Sequence, residues 1–373
     1  MNTMSISRRR FAQLLGVGAA AAVVRPPLSF AKPTQAITTP LTEGGIVRLS
    51  ANENPYGPSS KALQAITDSF GLACRYPDEH NNVLIDKLAK LNGVNHDQIL
   101  LGDGSGEILK LCAETFTGPQ NGKLVAADPT FEAILNNASA NGAEVVKVPL
   151  NNSFGHDLEK MLAAANKGVI YVCNPNNPTA SITPKNELRD FITKAPPETM
   201  ILVDEAYFHY ADSPDYESVI TLVQEHPNLV VSRTFSKIYG MAGLRAGVAM
   251  ARPELLKLMG RYNAGALPSA AMAAATASLK CVNLVPQRRK IIADIRDTCV
   301  SFLKAHGFDC VPSVSNKFMV DVKRPATEIV QALRKENVYI GRVWPVWPTF
   351  CRVSVGTRDE MEIFKTAFLK VTA

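Results

Sequence analysis

Through the middle of the chain, short apolar runs alternate with stretches whose apolar positions recur at helical spacing. Lys123–Ala127, Glu144–Leu150, Val169–Cys173, Met200–Val203, Leu229–Arg233 and Arg245–Ala251 are predicted strands. Ser105–Phe116, Phe131–Ala140, Pro184–Lys194 and Tyr216–Gln224 are predicted helices lying between them. That alternation predicts an α/β fold, with a mainly parallel sheet covered by helices on both faces. In such sheets ligands collect at the carboxyl ends of the strands.

From about Leu267 the pattern changes. An Ala-rich helix (Pro268–Leu279) leads into a long helical stretch, Val285–Ala305. Strand Lys317–Val322, helix Ala326–Glu336, strand Cys351–Val355 and a closing helix from Arg358 complete a smaller α+β domain. Lys32 to about Gly45 is rich in Pro and Thr and predicts an extended arm. The expected organisation is a leader over 1–31, an arm over 32–57 that joins the small domain, a large domain over 58–266 and a small domain over 267–373.

Composition agrees with this size: 373 residues, 46% hydrophobic and 20% charged, suit one large globular domain plus a smaller one. The formal charge is +6, but the first 31 residues hold Arg8, Arg9, Arg10 and Arg25 and no acid. Of the 40 basic residues, 36 therefore face 34 acidic ones in the rest of the chain. So even a balance gives no electrostatic case for nucleic acid or an anionic membrane. Ser7-Arg8-Arg9-Arg10-Phe11 precedes an apolar run of eleven residues, Leu14 to Val24, and then Ser29-Phe30-Ala31, a small-x-small cleavage site before Lys32. At 1.5 Å per residue such a run covers roughly half of a bilayer core, which suits a signal segment rather than an anchor. The paired arginines resemble a twin-arginine export signal. They imply a periplasmic or otherwise exported protein, off the membrane once the leader is cleaved; the plainer alternative is a cytoplasmic protein with a frayed extension. Seven scattered cysteines without a C-x-x-C pair predict neither a disulfide framework nor a zinc site, and six histidines show no metal-ligand spacing.

The candidate chemistry sits at the predicted strand ends. Thr234-Phe235-Ser236-Lys237 follows a buried strand and Gly243-Leu244-Arg245 trails it. A lysine that loses its proton through burial or nearby cations attacks an aldehyde to form an imine. Thr234, Ser236 and the forked guanidinium of Arg245 suit an adjoining phosphate. Asp204 ends another apolar run, Leu202-Val203-Asp204-Glu205-Ala206-Tyr207, where an acid suits a protonated pyridine nitrogen. Tyr207 and Asn177, the latter in Asn174-Pro175-Asn176-Asn177-Pro178-Thr179, suit a phenolate oxygen on the same ring. Gly102-Asp103-Gly104-Ser105-Gly106-Glu107 opens a helix, where the backbone N–H groups of Ser105 and Gly106 approach a phosphate. Phe131, expected at the top of the helix after Asp128-Pro129-Thr130, suits stacking on the ring. Taken singly these are also an ordinary turn, an N-cap and a core aromatic.

In order, Asn-Glu-Asn-Pro-Tyr-Gly (52–57), Arg75-Tyr76-Pro77-Asp78, the Gly-Ser-Gly-Glu helix start, Asn-Pro-Asn-Asn-Pro-Thr, Asp-Glu-Ala-Tyr, Ser-Lys, Gly-Leu-Arg and Arg352-Val353-Ser354-Val355-Gly356-Thr357 resemble the histidinol-phosphate aminotransferase family of pyridoxal-phosphate (PLP) enzymes. The resemblance runs from about Val47 to the C-terminus. It implies a fold-type-I PLP-transferase, a homodimer with active sites at the subunit interface, an amino donor and a 2-oxo acid acceptor. It further implies that Lys237 holds the cofactor as an imine and shuttles protons, that Asp204 pairs with the ring nitrogen, and that Tyr207 and Asn177 contact the phenolate oxygen. Ser105, Gly106, Thr234, Ser236 and Arg245 would hold the phosphate, and Tyr76 would reach the phosphate of the neighbouring subunit. Tyr56 would lie near the substrate, Arg352 would bind its anionic group, and Arg342 would be a second cation.

Two departures bear on the donor. Arg342 is followed by Val343-Trp344-Pro345-Val346-Trp347-Pro348, and the ten-residue gap to Arg352 is short for a phosphate-binding loop. The two indoles favour an aromatic or neutral amino acid, unless they only pack the domain edge. Export, too, would separate the protein from cytoplasmic histidine biosynthesis. The expected activity is transamination, with histidinol phosphate as the alternative donor. β-Elimination, racemisation or decarboxylation on the same scaffold are the rival reactions, and a non-catalytic exported binding protein is the rival class.

Overall fold

A computed structural model describes residues 45–373; the leader and the first half of the expected arm, 32–44, lie outside the described residues. The strands are β1 (Val47–Leu49), β2 (Ile99–Asp103), β3 (Lys123–Asp128), β4 (Val145–Pro149), β5 (Gly168–Cys173), β6 (Thr199–Asp204), β7 (Leu229–Thr234), β8 (Ala246–Met250), β9 (Asp309–Cys310), β10 (Lys317–Asp321), β11 (Val338–Ile340) and β12 (Phe350–Ser354). The α-helices are α1 (Ser60–Ser69), α2 (Asp78–Asn92), α3 (Gly104–Phe116), α4 (Ala133–Ala140), α5 (Leu158–Ala164), α6 (Lys185–Lys194), α7 (Pro253–Met259), α8 (Ser269–Ser278), α9 (Leu284–Ala305), α10 (Ala326–Lys335) and α11 (Arg358–Thr372).

Seven strands form one sheet in the order β2-β8-β7-β6-β5-β3-β4. β8 runs antiparallel to β2 and β7, and the other neighbours are parallel. Alternate residues of the central strands enter different cores. Ile170, Val172, Ile201, Val203 and Val231 join one, and Val169, Tyr171, Leu202 and Val230 join the other. Both faces are therefore apolar, which is why these strands read as unbroken runs in the sequence. On the second face lie Ile108 and Leu109 of α3, Ile134 of α4 and Leu256 of α7. The first core continues through Ile292 and Ile295 of α9 and Phe364 of α11 to Phe318 and Val320 of β10.

The C-terminal part holds a three-stranded antiparallel sheet, β12-β10-β9. β1 pairs parallel with β11, Val47 opposite Val338, and so delivers Ser50 to Asn54 to the end of the large sheet. A capping box starts α11: Thr357 Oγ1 accepts from the Glu360 amide (3.2 Å) while Glu360 Oε2 accepts from the Thr357 amide (2.7 Å).

Two predicted helices differ from the structure. Tyr216–Gln224 is only a 3-10 segment, Val219–Gln224. Its entry is pinned because Ser218 Oγ and the Val219 amide both donate to Glu205 (2.8 and 2.9 Å). Pro227 then denies His226 the helical region, so too few residues remain for an α-helix. Phe131 lies two residues before α4, since Thr130 Oγ1 donates to Asn176 Oδ1 (2.9 Å) and holds the chain in its turn. The helices α1, α2, α5 and α7 and the strands β1, β2, β9 and β11 are not among the predicted elements.

Glu205 and Arg233 form a buried ion pair, with Nε donating to Oε2 (2.8 Å). Arg233 also donates to Ser218 Oγ (2.6 Å) and to Asn92 Oδ1, which ties α2 to the sheet. Removing one partner of such a pair leaves an uncompensated buried charge. Glu205→Ala is therefore expected to lose about 3–5 kcal/mol of unfolding free energy. Urea denaturation of the ligand-free protein measures it, and a loss below about 1 kcal/mol would show that Arg233 finds other compensation.

Candidate active site

β5 and β6 end level, Cys173 opposite Asp204, while β7 runs two residues past Ser232, the partner of Asp204, to Thr234. A cavity of about 470 Å³ opens at these ends. Its lining brings together Ser105, Gly106, Phe131, Asn177, Asp204, Tyr207, Thr234, Ser236, Lys237, Arg245, Arg342 and Arg352. These come from segments as far apart as the start of α3 and the middle of β12, so only the folded sheet assembles them.

Asp204 is the last residue of β6 and is 2% exposed. Tyr171 Oη donates to its Oδ2 (2.9 Å) and the Ala206 amide to its Oδ1 (3.2 Å). Burial nevertheless pushes its carboxyl up to about 6, so near neutrality it is an ionised acid that would gain from a cation. Lys237 lies three residues past β7 and opens onto the cavity, where Nζ donates to the Ala51 carbonyl (3.4 Å). Burial, and then Arg352, bring its amine down to about 8. Far more of the free base is thus present near neutral pH than in an ordinary lysine, as a nucleophilic or proton-carrying lysine requires.

A second group of residues makes an anion cradle. α3 begins Gly104-Ser105-Gly106, with its first amides beside Arg245 and the Thr234–Ser236 hydroxyls. Arg245 adopts a left-handed φ of 58°, and its Nη2 donates to the Asp103 carbonyl (3.0 Å). A Cβ at Gly104 would lie 2.3 Å from that nitrogen, and one at Gly247 would lie 2.3 Å from the Gly104 backbone. Glycine is needed at both because arginine, helix start and β8 converge there. Thr234 Oγ1 and Ser236 Oγ are 2.9 Å apart. Helix N-terminal amides, two hydroxyls and a guanidinium are the donor set for a phosphate.

On the opposite side Arg352, on β12, is buried and has no carboxylate partner among the described residues. Nη1 donates to Asn177 Oδ1 (2.9 Å), Nη2 to the Ser50 carbonyl, and the buried Nε has no hydrogen-bond partner. Burial pulls this guanidinium down to about 10. A Cβ at Gly341 would sit 2.8 Å from Nε, so the glycine makes room for the arginine. Asn52 Nδ2 donates to Tyr207 Oη (3.0 Å) and to Asn177 Oδ1 (3.3 Å). Because Asn177 uses its oxygen for both bonds, its Nδ2 remains a donor for a group in the cavity.

Three site residues have no counterpart in the sequence-based expectations. Asn52 lies inside the quoted Asn-Glu-Asn-Pro-Tyr-Gly motif, and its positive φ of 54°, tolerated by Asn, was its only local signal. Lys317 opens the apolar strand β10 and is wholly buried. Its Nζ donates to Ser315 Oγ (3.1 Å) and lies 3.2 Å from the centroid of the Tyr207 ring. Burial, with Arg352 and Lys237 nearby, holds this amine well below the usual lysine range. Glu132 is the third; it lines the cavity and pairs with Arg342.

Tyr76 and Tyr56 are outside the cavity lining of their own chain; Tyr76 is 94% exposed. Of the two readings of the indoles, the structure agrees with packing and not with a cavity wall. Trp344 packs with Val311 and Met319, and Trp347 packs edge-on against Phe154 (5.6 Å). Neither lines the cavity, because Trp344 lies behind the two arginines, 4.8 Å from the Arg342 guanidinium and 5.3 Å from that of Arg352. Among the described residues no His/Cys/Asp/Glu group could hold a metal ion.

A lone buried carboxylate, a lysine with a lowered proton affinity and a phosphate cradle on one cavity fit PLP. Known proteins agree with that fit. The family model for class I and II aminotransferases matches residues 45–368. The chain is 35% identical to the histidinol-phosphate aminotransferase of Moorella thermoacetica over 92% of its own length and 89% of that protein's. It is 34% identical to that of Bacillus subtilis (strain 168), covering 90% and 94%. The structure of histidinol-phosphate aminotransferase from Sinorhizobium meliloti in complex with pyridoxal-5'-phosphate superposes with a TM-score of 0.82 at 27% identity, covering 88% of this chain and 91% of that one. An L-threonine-O-3-phosphate decarboxylase from Porphyromonas gingivalis (TM-score 0.71, 22% identity, 87% and 99% covered) shares the fold alone.

An acid whose folded pKa exceeds its unfolded value contributes stability below the unfolded value and loses it as pH rises through the folded one. For Asp204 that window runs from the ordinary 3.8 to about 6, and the full loss is on the order of 3 kcal/mol. Asp204→Asn apoenzyme is therefore expected to be more stable than wild type at pH 8, with the advantage shrinking toward pH 4. Urea midpoints at the two pH values test this; an advantage that does not change with pH would contradict the buried charge.

Proposed function

The chain belongs to the class I and II aminotransferase family and is a PLP-dependent aminotransferase; we propose that its donor is an amino acid with an uncharged, aromatic-sized side chain, and its acceptor a 2-oxo acid. Arg352 is the observation that carries this: a buried guanidinium on the cavity, without a carboxylate partner among the described residues, asks for one anionic group. The α-carboxylate of an amino acid supplies it. The rest of the wall, Phe131, Ala133, Asn136, Cys173 and Ala206, is uncharged, and Arg342 is already met by Glu132.

Bound in the cavity, PLP supplies an electron sink for the charge left at the donor's α-carbon. The chain's residues do the rest. Asp204 supplies a fixed negative charge for a protonated ring nitrogen, and the α3 amides, Thr234, Ser236 and Arg245 take the phosphate. Asn177 Nδ2 and the Tyr207 hydroxyl serve as donors to the ring oxygen. Lys237, near its midpoint of about 8, would hold the cofactor covalently and would carry the donor's α-proton. A second donor, histidinol phosphate, is favoured by the names of the relatives and by the second arginine on the same cavity. The active form we propose is a homodimer in which Tyr76 serves the neighbouring cavity. Its support is the exposure of Phe70, Tyr76 and Val83 along one stretch of chain.

Lys237→Ala is expected to fold yet fail to retain PLP after borohydride treatment, because no amine remains to be reduced onto it. Wild-type levels of covalent label in the variant would remove Lys237 from this role. Single-turnover reactions of the holoenzyme with phenylalanine, neutral aliphatic amino acids and histidinol phosphate test the donor. We expect phenylalanine to convert the cofactor band faster than histidinol phosphate, and the reverse order would select the second donor.

The export of the protein is part of the same proposal. Its support is the Arg8-Arg9 pair ahead of the apolar run. Replacing Arg8 and Arg9 by Lys keeps the charge but removes paired guanidinium recognition. Full-length, active enzyme should then accumulate in the cytoplasmic fraction, whereas identical fractionation of both forms would refute the signal.

A further inference from the structure

We propose that Glu132 is a specificity-determining residue: paired with Arg342, it reserves the cavity for donors and 2-oxo acids of a single negative charge and disfavours dicarboxylates and phosphate dianions. The inference rests on the aminotransferase activity proposed above and extends it to the acceptor.

Arg342 and Glu132 line the same cavity as Arg352, and the Arg342 Nη2 contacts the Glu132 carboxylate directly. Glu132 occupies the N-cap position of α4, yet its side chain makes no capping hydrogen bond. Its carboxylate is therefore not committed to the helix and is given to the arginine instead. Arg342 in turn stacks over Trp344 (4.8 Å), which leaves its charged edge for Glu132. Side-chain exposures of 54% and 26% keep the pair within reach of an entering ligand.

The two arginines differ in what they still require. Arg352 has only neutral acceptors, Asn177 Oδ1 and the Ser50 carbonyl, whereas Arg342 has a carboxylate. A substrate with one acidic group satisfies Arg352 and leaves the Arg342–Glu132 pair intact. A second carboxylate, or a phosphate dianion, would have to displace Glu132 and then lie beside a like charge. Selectivity built this way works by repulsion of the wrong ligand as much as by attraction of the right one. On this basis the acceptor is a monocarboxylic 2-oxo acid such as pyruvate, and 2-oxoglutarate is disfavoured.

The test compares the holoenzyme with Glu132→Gln, an isosteric change at a partly exposed position. Binding of glutarate and of 3-phenylpropionate, neither of which has an amino group, is followed through the visible band of the cofactor. The ratio kcat/KM for 2-oxoglutarate over pyruvate is measured alongside. Wild type is expected to favour the monocarboxylate in both assays. Glu132→Gln is expected to raise both dicarboxylate-to-monocarboxylate ratios by on the order of tenfold, and Arg342→Ala in the same background should cancel the rise. Ratios unchanged in Glu132→Gln, or a wild type that prefers the dicarboxylate, would overturn the proposal. The binding arm needs no turnover, so failure of the donor panel would strike the proposed reaction without deciding this one.

Discussion

Around the carboxyl ends of the central strands the buried carboxylate Asp204, which has no basic partner in an ion pair, lies among three basic side chains, Lys237, Lys317 and Arg352, all held below their usual proton affinities by burial. No apolar packing scheme would choose that composition. Each group costs free energy in a low-dielectric interior unless a partner repays it, and the protein's own partners are too few. The central strands, one of which ends in Asp204, are apolar on both faces, so stability comes from that sheet and the two cores, while the charges gather around its rim. A cofactor with a cationic ring nitrogen and a substrate with an acid group supply the missing countercharges. The cavity is thus least satisfied when empty, which is how binding free energy comes to depend on ligand charge.

The rim holds together through one asparagine. Asn52 donates to Tyr207 and Asn177, its amide nitrogen donates to Ser354 Oγ (2.8 Å), and its carbonyl accepts from Asn316 Nδ2 (3.0 Å). It therefore joins the segment after β1 to β12, to the turn before β10 and to the loops after β5 and β6. The parallel pairing of β1 with β11 sets the register that delivers it. Loss of that short strand would disturb the cavity although none of its three residues lines it. Lys317 works at the same junction, seated on Tyr207 behind the wall, where its amine fills space and bears on both the phenol and Arg352.

What was legible in the sequence was local. Asp204, Asn177, Thr234 and Lys237 follow apolar runs, and strand ends in a parallel sheet converge without any knowledge of register. Gly104 to Gly106 likewise announce a helix start. Long-range partners leave no such mark. Lys317 looks like a charge at the edge of a strand until β10 is seen beneath Tyr207, and Glu132 looks like a helix-start acid until Arg342 arrives from a position 210 residues away. The expected helix over 216–224 failed for a similar reason, because Glu205, distant in local pattern, captures its first turn.

The tryptophans show how sequence proximity misleads about a site. Trp344 lies two residues from Arg342, and an aromatic there invites the idea of a ring-binding wall. The chain instead turns back at Trp344 and Trp347, which bridge each other, and the first indole is driven beneath the arginines. Its effect on the ligand is then indirect. By presenting a π face to both guanidiniums it holds them in place, and cation–π contacts of this kind are strongest where water is excluded. The two arginines share that support yet differ in countercharge, so the distinction between them arises from Glu132 and not from the aromatic residues. Selectivity for the donor is better sought in the acid that lines the cavity than in the indoles that do not.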